Sequence, residues 1–213
     1  MPIDVKICGL KDPEAMNAAI EGGAGYVGFI FYPPSPRAVT PKEAIALGKA
    51  VPPDRIKVGV TVDPDDHLID QVLEAVDAIQ LHGKETPERV REVKEKTGKI
   101  VIKALRIGEP EDLEPLAAYA EVADMILFDA KPPKTPGSLP GGNGLTFDWR
   151  LLDDLALDVP WLLSGGLDAA NLEDAVRLCR APAVDVSSGV EKAPGIKDVA
   201  KIRNFLERAR DLP

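Results

Sequence analysis

The sequence predicts a single α/β domain, an eight-stranded (β/α)8 TIM barrel occupying residues 1–213. Three observations predict it. Apolar runs of strand length alternate with longer segments of helical periodicity along the whole chain, the pattern of parallel strands joined by helical crossovers. The alternation repeats eight times in 213 residues, the compact end of what a closed barrel needs. No Gly-x-Gly-x-x-Gly follows the first strand, which counts against an open dinucleotide-binding sheet.

The elements are expected in this order. A strand over 5–8 runs into Gly9, and a helix over 13–21 follows. Asp12 caps that helix ahead of Pro13, and Gly22-Gly23 close it. The second strand, 26–31, leads through the stiff segment Pro33-Pro34-Ser35-Pro36 to a helix over 41–49. Thr40-Pro41 starts that helix, with Glu43 in the first turn matching the helix dipole. Strand 57–62 and helix 66–75 come next, then strand 78–82 and helix 87–96. Thr86-Pro87 and Gly98 mark the two ends of the latter helix. Strand 100–105 precedes a helix over 110–120. Strand 125–129 opens an irregular stretch, 130–146, rich in proline and glycine. A loop that long in a compact domain is functional or mobile. Helix 148–155, strand 161–164, helix 169–178, strand 184–187 and a final helix over 197–209 complete the chain.

Composition narrows the function. The net charge of −9 repels nucleic acid and anionic membranes, so an anionic substrate would need a locally positive or amide-lined pocket. Two cysteines far apart make no disulfide framework, and no Cys/His cluster suggests a metal. There is no leader-like start, and no apolar run approaches the roughly 18–20 residues of a membrane span. The expectation is a soluble cytoplasmic protein acting on a small molecule, as a monomer or homodimer, without nucleic-acid or membrane partners.

In such a barrel, chemistry gathers where the strands end. The expected rim residues are Cys8, Phe31, Val62, His82, Leu105, Asp129, Ser164 and Ser187. Strand parity puts Lys6 on the face of Cys8, where a cation favours the thiolate that serves as base or nucleophile. Gln80 shares a face with His82 and Asp185 with Ser187, and Lys103 is expected to face inward beside them. A satisfied network is expected there, in which Lys6 and Lys103 balance Asp129 and Asp185. Asp129 ends the apolar run Met125-Ile126-Leu127-Phe128, and a carboxyl group at such a rim suits a general acid. Cys8 and Asp129 belong to the first and sixth strands and should face each other across the mouth.

Glycine-rich turns follow the seventh and eighth strands, Ser164-Gly165-Gly166 and Ser187-Ser188-Gly189. Barrels often bind phosphate at these two places with backbone N–H groups. Gly165, Gly166, Ser187, Ser188 and Gly189 are therefore the expected phosphate site. Gly141-Gly142-Asn143-Gly144 in the long loop reads as a hinge that can add to it. Arg37, on the stiff loop after the second strand, has the planar fork that suits a carboxylate, though a solvated surface arginine is as ordinary.

Together these segments resemble the phosphoribosylanthranilate isomerase family of tryptophan biosynthesis. The matching stretches are Lys6-Ile7-Cys8-Gly9, Gly28-Phe29-Ile30-Phe31-Tyr32 leading to Ser35-Pro36-Arg37, Gln80-Leu81-His82-Gly83 and Leu127-Phe128-Asp129. They continue with Gly142-Asn143-Gly144-Leu145-Thr146-Phe147-Asp148-Trp149, Leu163-Ser164-Gly165-Gly166-Leu167 and Val184-Asp185-Val186-Ser187-Ser188-Gly189-Val190-Glu191. The stretch 131–140 is longer and richer in proline than the family pattern. The resemblance implies an Amadori rearrangement of N-(5-phosphoribosyl)anthranilate to its carboxyphenylamino-deoxyribulose phosphate. It implies Cys8 as general base, Asp129 as general acid and Arg37 at the anthranilate carboxylate, with Asp185 at a sugar hydroxyl and no metal or organic cofactor. Two rivals remain at this point: a related sugar-phosphate isomerase of histidine biosynthesis, and a non-catalytic phosphate-sensing barrel.

Overall fold

The computed structural model describes residues 3–132, 141–153, 155 and 157–212. Eight parallel strands close into a barrel in sequence order: β1 (Asp4–Cys8), β2 (Tyr26–Ile30), β3 (Ile56–Thr61), β4 (Ala78–Leu81), β5 (Ile100–Ile107), β6 (Met125–Ala130), β7 (Trp161–Leu163) and β8 (Ala183–Val186). Register fixes the neighbours that matter below. Lys6 of β1 pairs with Asp185 of β8, and Cys8 pairs with Gly28 of β2.

The helices start where the capping pairs predict. Asp12 accepts from the Ala15 N–H at the start of α1 (Pro13–Glu21). Thr40 and Glu43 form a reciprocal capping box on α2 (Pro41–Gly48), and Thr86 caps α4 (Pro87–Thr97). Gly98 closes α4 with φ of +61°. Between them lies α3 (Asp66–Val72), shorter than expected.

Four further expectations need correction. The helix expected over 110–120 is split into a 3-10 turn, Pro110–Leu113, and a short α5, Leu116–Ala120. Pro115 lies between them, and it has no N–H to continue a helix from the residues before it. The helix expected over 148–155 is only a 3-10 turn, Trp149–Leu152, after which Asp153 is extended. The seventh helix, α6 (Leu172–Cys179), starts three residues later than expected. The Asp168 carboxylate accepts from the N–H groups of Ala170 and Asn171 and holds that segment in a turn. Finally, residues 191–197 form a hairpin that the sequence reading missed, β9 (Glu191–Ala193) against β10 (Ile196–Lys197), before α7 (Val199–Arg210) begins at its Asp198 cap.

Apolar packing has two parts. A large cluster joins the outer faces of the strands to the helices, including Ile7, Phe29, Ile79, Leu81, Val101, Phe128, Leu163 and Phe205. A smaller cluster fills the lower lumen, with Val58, Ala78, Ile102, Leu127 and Leu162. Above it the inward positions turn polar, and the site begins there.

Candidate active site

Lys6, Cys8, Gln80, Asp129 and Asp185 are all buried, and four of them line one cavity at the C-terminal mouth of the barrel. Arg37, His82, Ser164 and Ser187 join that wall. The expected opposition of β1 and β6 therefore holds, with Cys8 and Asp129 bordering the same space.

On the β1 side the Lys6 ammonium pairs with the Asp185 carboxylate at 3.0 Å. Burial alone would lower Lys6, but Asp185 and Cys8 raise it further than burial lowers it. Burial pushes the Cys8 thiol up, and Asp185 adds to this, against the opposing pull of Lys6 and Lys197. The simple expectation that Lys6 makes a ready thiolate thus meets a counterweight, because the lysine charge is already shared with Asp185. Beside Cys8, the Ser187 hydroxyl donates to the Cys8 carbonyl oxygen at 3.1 Å. Lys197 of β10, also buried, donates to the Ser187 carbonyl at 2.8 Å and pairs with Glu191 at 3.0 Å.

Glu191 in turn grips Arg37. The Arg37 Nε donates to Glu191 Oε1 at 2.7 Å and Nη2 donates to Oε2 at 2.9 Å, the bidentate fork of a strong charge-assisted pair. Burial would raise Glu191, but Arg37 and Lys197 hold it below the usual carboxylate range. Arg37 is therefore no loose surface arginine. Its guanidinium is fixed at the cavity wall, with Nη2 also donating to the Gly142 carbonyl at 3.3 Å.

The β6 side is built differently. Asp129 Oδ1 accepts from the Ala130 N–H at 2.9 Å, and Oδ2 lies 3.1 Å from His82 Nε2. The other ring nitrogen, Nδ1, is 2.8 Å from the Gln80 side-chain amide nitrogen. With that amide orientation Gln80 donates to Nδ1, which assigns the ring proton of a neutral His82 to Nε2, pointing at Asp129. Arg106 donates to the His82 carbonyl at 2.6 Å and so fixes the backbone of the ring. Gly141 closes over this pair, since a Cβ there would lie 2.8 Å from Asp129 Oδ2.

Lys103 does not join this network. Its ammonium pairs with Glu85 at 2.6 Å and donates to the Leu81 and Gly83 carbonyls, on the helix-facing side that its partner Leu81 shares. The balance expected between Lys103 and the lumen carboxylates is absent: Lys6 pairs with Asp185, and Asp129 takes a hydrogen bond from His82 rather than a lysine charge.

A second, smaller and polar recess adjoins the cavity and contains Gly165, Gly166, Ser187 and Ser188, with Asn143 and Gly144 opposite. Gly165 and Gly166 have φ of +90° and +62°, a backbone turn that side-chain-bearing residues rarely adopt. Asn171 donates to the Gly166 carbonyl at 2.9 Å and braces the turn. Among the described residues the N–H groups of Gly165 and Gly166 have no backbone or side-chain acceptor in turns or loops. Gly189 is placed differently from the other four. It lies outside the walls of the recess, and a Cβ there would run into the Leu167 carbonyl oxygen. Its smallness serves the close packing of the two glycine turns. The residues expected in the 131–140 stretch fall mostly at 133–140, outside the described residues.

The chain matches the family model of N-(5'phosphoribosyl)anthranilate (PRA) isomerase over residues 5–208. It belongs to that family. The N-(5'-phosphoribosyl)anthranilate isomerase of Paracoccus denitrificans is 56% identical over 211 residues, covering 98% of each chain. A crystal structure of phosphoribosyl anthranilate isomerase in complex with reduced 1-(o-carboxyphenylamino)-1-deoxyribulose 5-phosphate superimposes with a TM-score of 0.83 at 36% identity, covering 99% of this chain and 100% of that one. A structure of monomers derived from the dimeric isomerase of Thermotoga maritima matches equally, with a TM-score of 0.83, 36% identity and the same coverage.

Within this family's barrel, three residues of the site received no role from the sequence reading. His82 stood at an expected strand end, where its tie to Asp129, 47 positions away, could not be seen. Glu191 closed a motif without showing its partner Arg37, 154 positions distant. Lys197 falls in sequence at the expected start of the last helix, because the hairpin that turns it inward carries no periodic signal in two or three residues per strand.

Proposed function

We propose that this barrel carries out the family's isomerisation with Asp129 as general acid and Cys8 as general base. The chain is an isomerase of tryptophan biosynthesis, converting N-(5-phosphoribosyl)anthranilate to 1-(2-carboxyphenylamino)-1-deoxyribulose 5-phosphate. Asp129 protonates the furanose ring oxygen as the bond from C1′ to that oxygen breaks, leaving a protonated Schiff base with the anthranilate nitrogen. Cys8, as thiolate, takes the proton from C2′, and the electron pair moves to give the enolamine. Tautomerisation of the enolamine to the ketone completes the reaction. Arg37, held flat by Glu191, receives the anthranilate carboxylate, and Asp185 accepts from a sugar hydroxyl. Gly165, Gly166, Ser187 and Ser188 hold the phosphate through backbone N–H and hydroxyl groups, with Gly189 keeping their two turns in contact.

The observation that carries this reading is the shared cavity. One acid and one base border it from opposite strands, with the carboxylate-type arginine and the amide-lined recess at its margins. The reading places the work in a single domain spanning 1–213, in the cytoplasm, as a monomer or homodimer, with no nucleic-acid partner and no metal or organic cofactor. Among the described residues no helix is long and apolar enough to cross a membrane. The test is decay of the substrate's anthranilate fluorescence. Cys8→Ala and Asp129→Asn should each lose about 10²–10⁴-fold in kcat with an unchanged circular dichroism spectrum. Retention of more than about a tenth of kcat in either variant, well above what that role allows, would remove its residue from the mechanism.

A further inference from the structure

The ionic groups around Cys8 do not cancel. Lys6, Arg37 and Lys197 are cations, while Asp185 and Glu191 are the carboxylates that pair with them. Glu191 serves two partners at once, Arg37 at 2.7 Å and Lys197 at 3.0 Å. All five are buried, so water screens the imbalance weakly. One positive charge is left over before Cys8 is counted, and of the two cations on Glu191 it is Lys197 whose charge acts on Cys8. It bonds to Ser187, whose hydroxyl touches the Cys8 carbonyl oxygen.

We propose that Lys197, delivered by the β9–β10 hairpin, is a positioning residue for the Cys8 thiolate: it supplies the unbalanced positive charge that lets a buried thiol ionise. This rests on the reading of Cys8 as general base. Lys6 cannot supply that charge alone, because Asp185 sits 3.0 Å from its ammonium and repels a thiolate in turn. Lys197 shares its carboxylate with Arg37 and so remains undercompensated. Lys6 and Lys197 each favour the Cys8 anion against burial and Asp185, which together hold the thiol up, while burial and the Arg37 charge pull Lys197 itself down against Glu191 and Cys8. The other groups facing Cys8 are accounted for. Gly28 packs from β2 without charge, Ser187 is neutral, and Asp129, on β6 across the cavity beside a neutral His82, carries no charge while it holds the proton it delivers as general acid. The hairpin therefore has a catalytic purpose beyond closing the chain: it brings a cation from the C-terminal segment into the site of a residue at the N-terminus.

The test is the ultraviolet titration of the thiolate in the full chain, with Cys179→Ala as background so that Cys8 alone reports. Lys197→Met removes the surplus and should raise the Cys8 midpoint by about one pH unit or more, roughly tenfold less thiolate at a given pH. Glu191→Gln enlarges the surplus and should lower the midpoint by a similar amount. Lys197→Arg keeps the charge and should leave the midpoint near that of the background protein. General damage to the site cannot move the thiol in opposite directions. If Lys197→Met fails to fold, the downward shift of Glu191→Gln carries the test alone. Midpoints that stay fixed, or that move the same way in both variants, overturn the proposal. The acid limb of kcat/KM should follow the thiol in each variant. A thiol that moves while that limb stays put supports the charge inference and instead overturns Cys8 as the base.

Discussion

The two sides of the barrel mouth place their reactive groups by different physics. Around Cys8 the contacts are ionic: two lysines, an arginine and two carboxylates, all buried. Around Asp129 they form a directional chain, Gln80 to His82 to the carboxylate, with a backbone N–H on the other oxygen. A base that must become an anion in a dry place needs net charge nearby. An acid that must deliver a proton to one atom needs orientation, which hydrogen bonds from rigid strands provide. The difference teaches that substitutions on the first side should act through charge, and those on the second through geometry.

The largest effects sharpen this contrast at the reactive groups themselves, in the losses stated for Cys8→Ala and Asp129→Asn. Next comes Arg37. Arg37→Ala should raise KM about tenfold to a hundredfold with a smaller fall in kcat, because a carboxylate contact present in ground and transition states is uniform binding. A substrate analogue without the carboxylate should show no such rise, and equal losses on both would place Arg37 elsewhere. In the recess, Ser188→Asp sets a carboxylate against the phosphate and should raise KM by about tenfold or more. Inhibition by anthranilate itself should be untouched. This variant is cleaner than a bulky replacement of Gly165 or Gly189, where a Cβ meets the Ala130 and Leu167 backbones and would disturb the turns directly. Smallest is the acid side. Gln80→Leu removes one neutral hydrogen bond to His82 and should lower kcat about fivefold to tenfold with KM unchanged. A fall in KM or a shift of the thiol titration instead would show that the two sides are coupled.

The fold was legible because its signals are local. Asp12-Pro13, Thr40-Pro41 and Thr86-Pro87 each announce a helix start by side-chain chemistry within three residues, and the structure places all three there. The face of a strand was harder to read. Both faces of a parallel barrel strand are buried, so alternation of polar and apolar residues does not report which face is the lumen. Lys6 and Gln80 were placed correctly through their neighbours at the rim, whereas Lys103 turned out to face the helices and Glu85. Cys8, Asp129 and the glycine turns could be placed at the barrel mouth because they lie at strand ends, where a barrel gathers its chemistry. Glu191, Lys197 and the partner of His82 could not. Their contacts join residues far apart in the chain, or depend on a hairpin too short to have a pattern.

The division of labour between the two sides is open to one direct measurement, the kinetic isotope effect with substrate deuterated at C2′. Cys8→Ser weakens the base, so proton removal from C2′ should limit the rate and a large primary effect should appear. Asp129→Asn weakens the acid, so ring opening should limit the rate and the effect should be suppressed. A full isotope effect in Asp129→Asn together with none in Cys8→Ser would contradict the assignment of base and acid to these two strands.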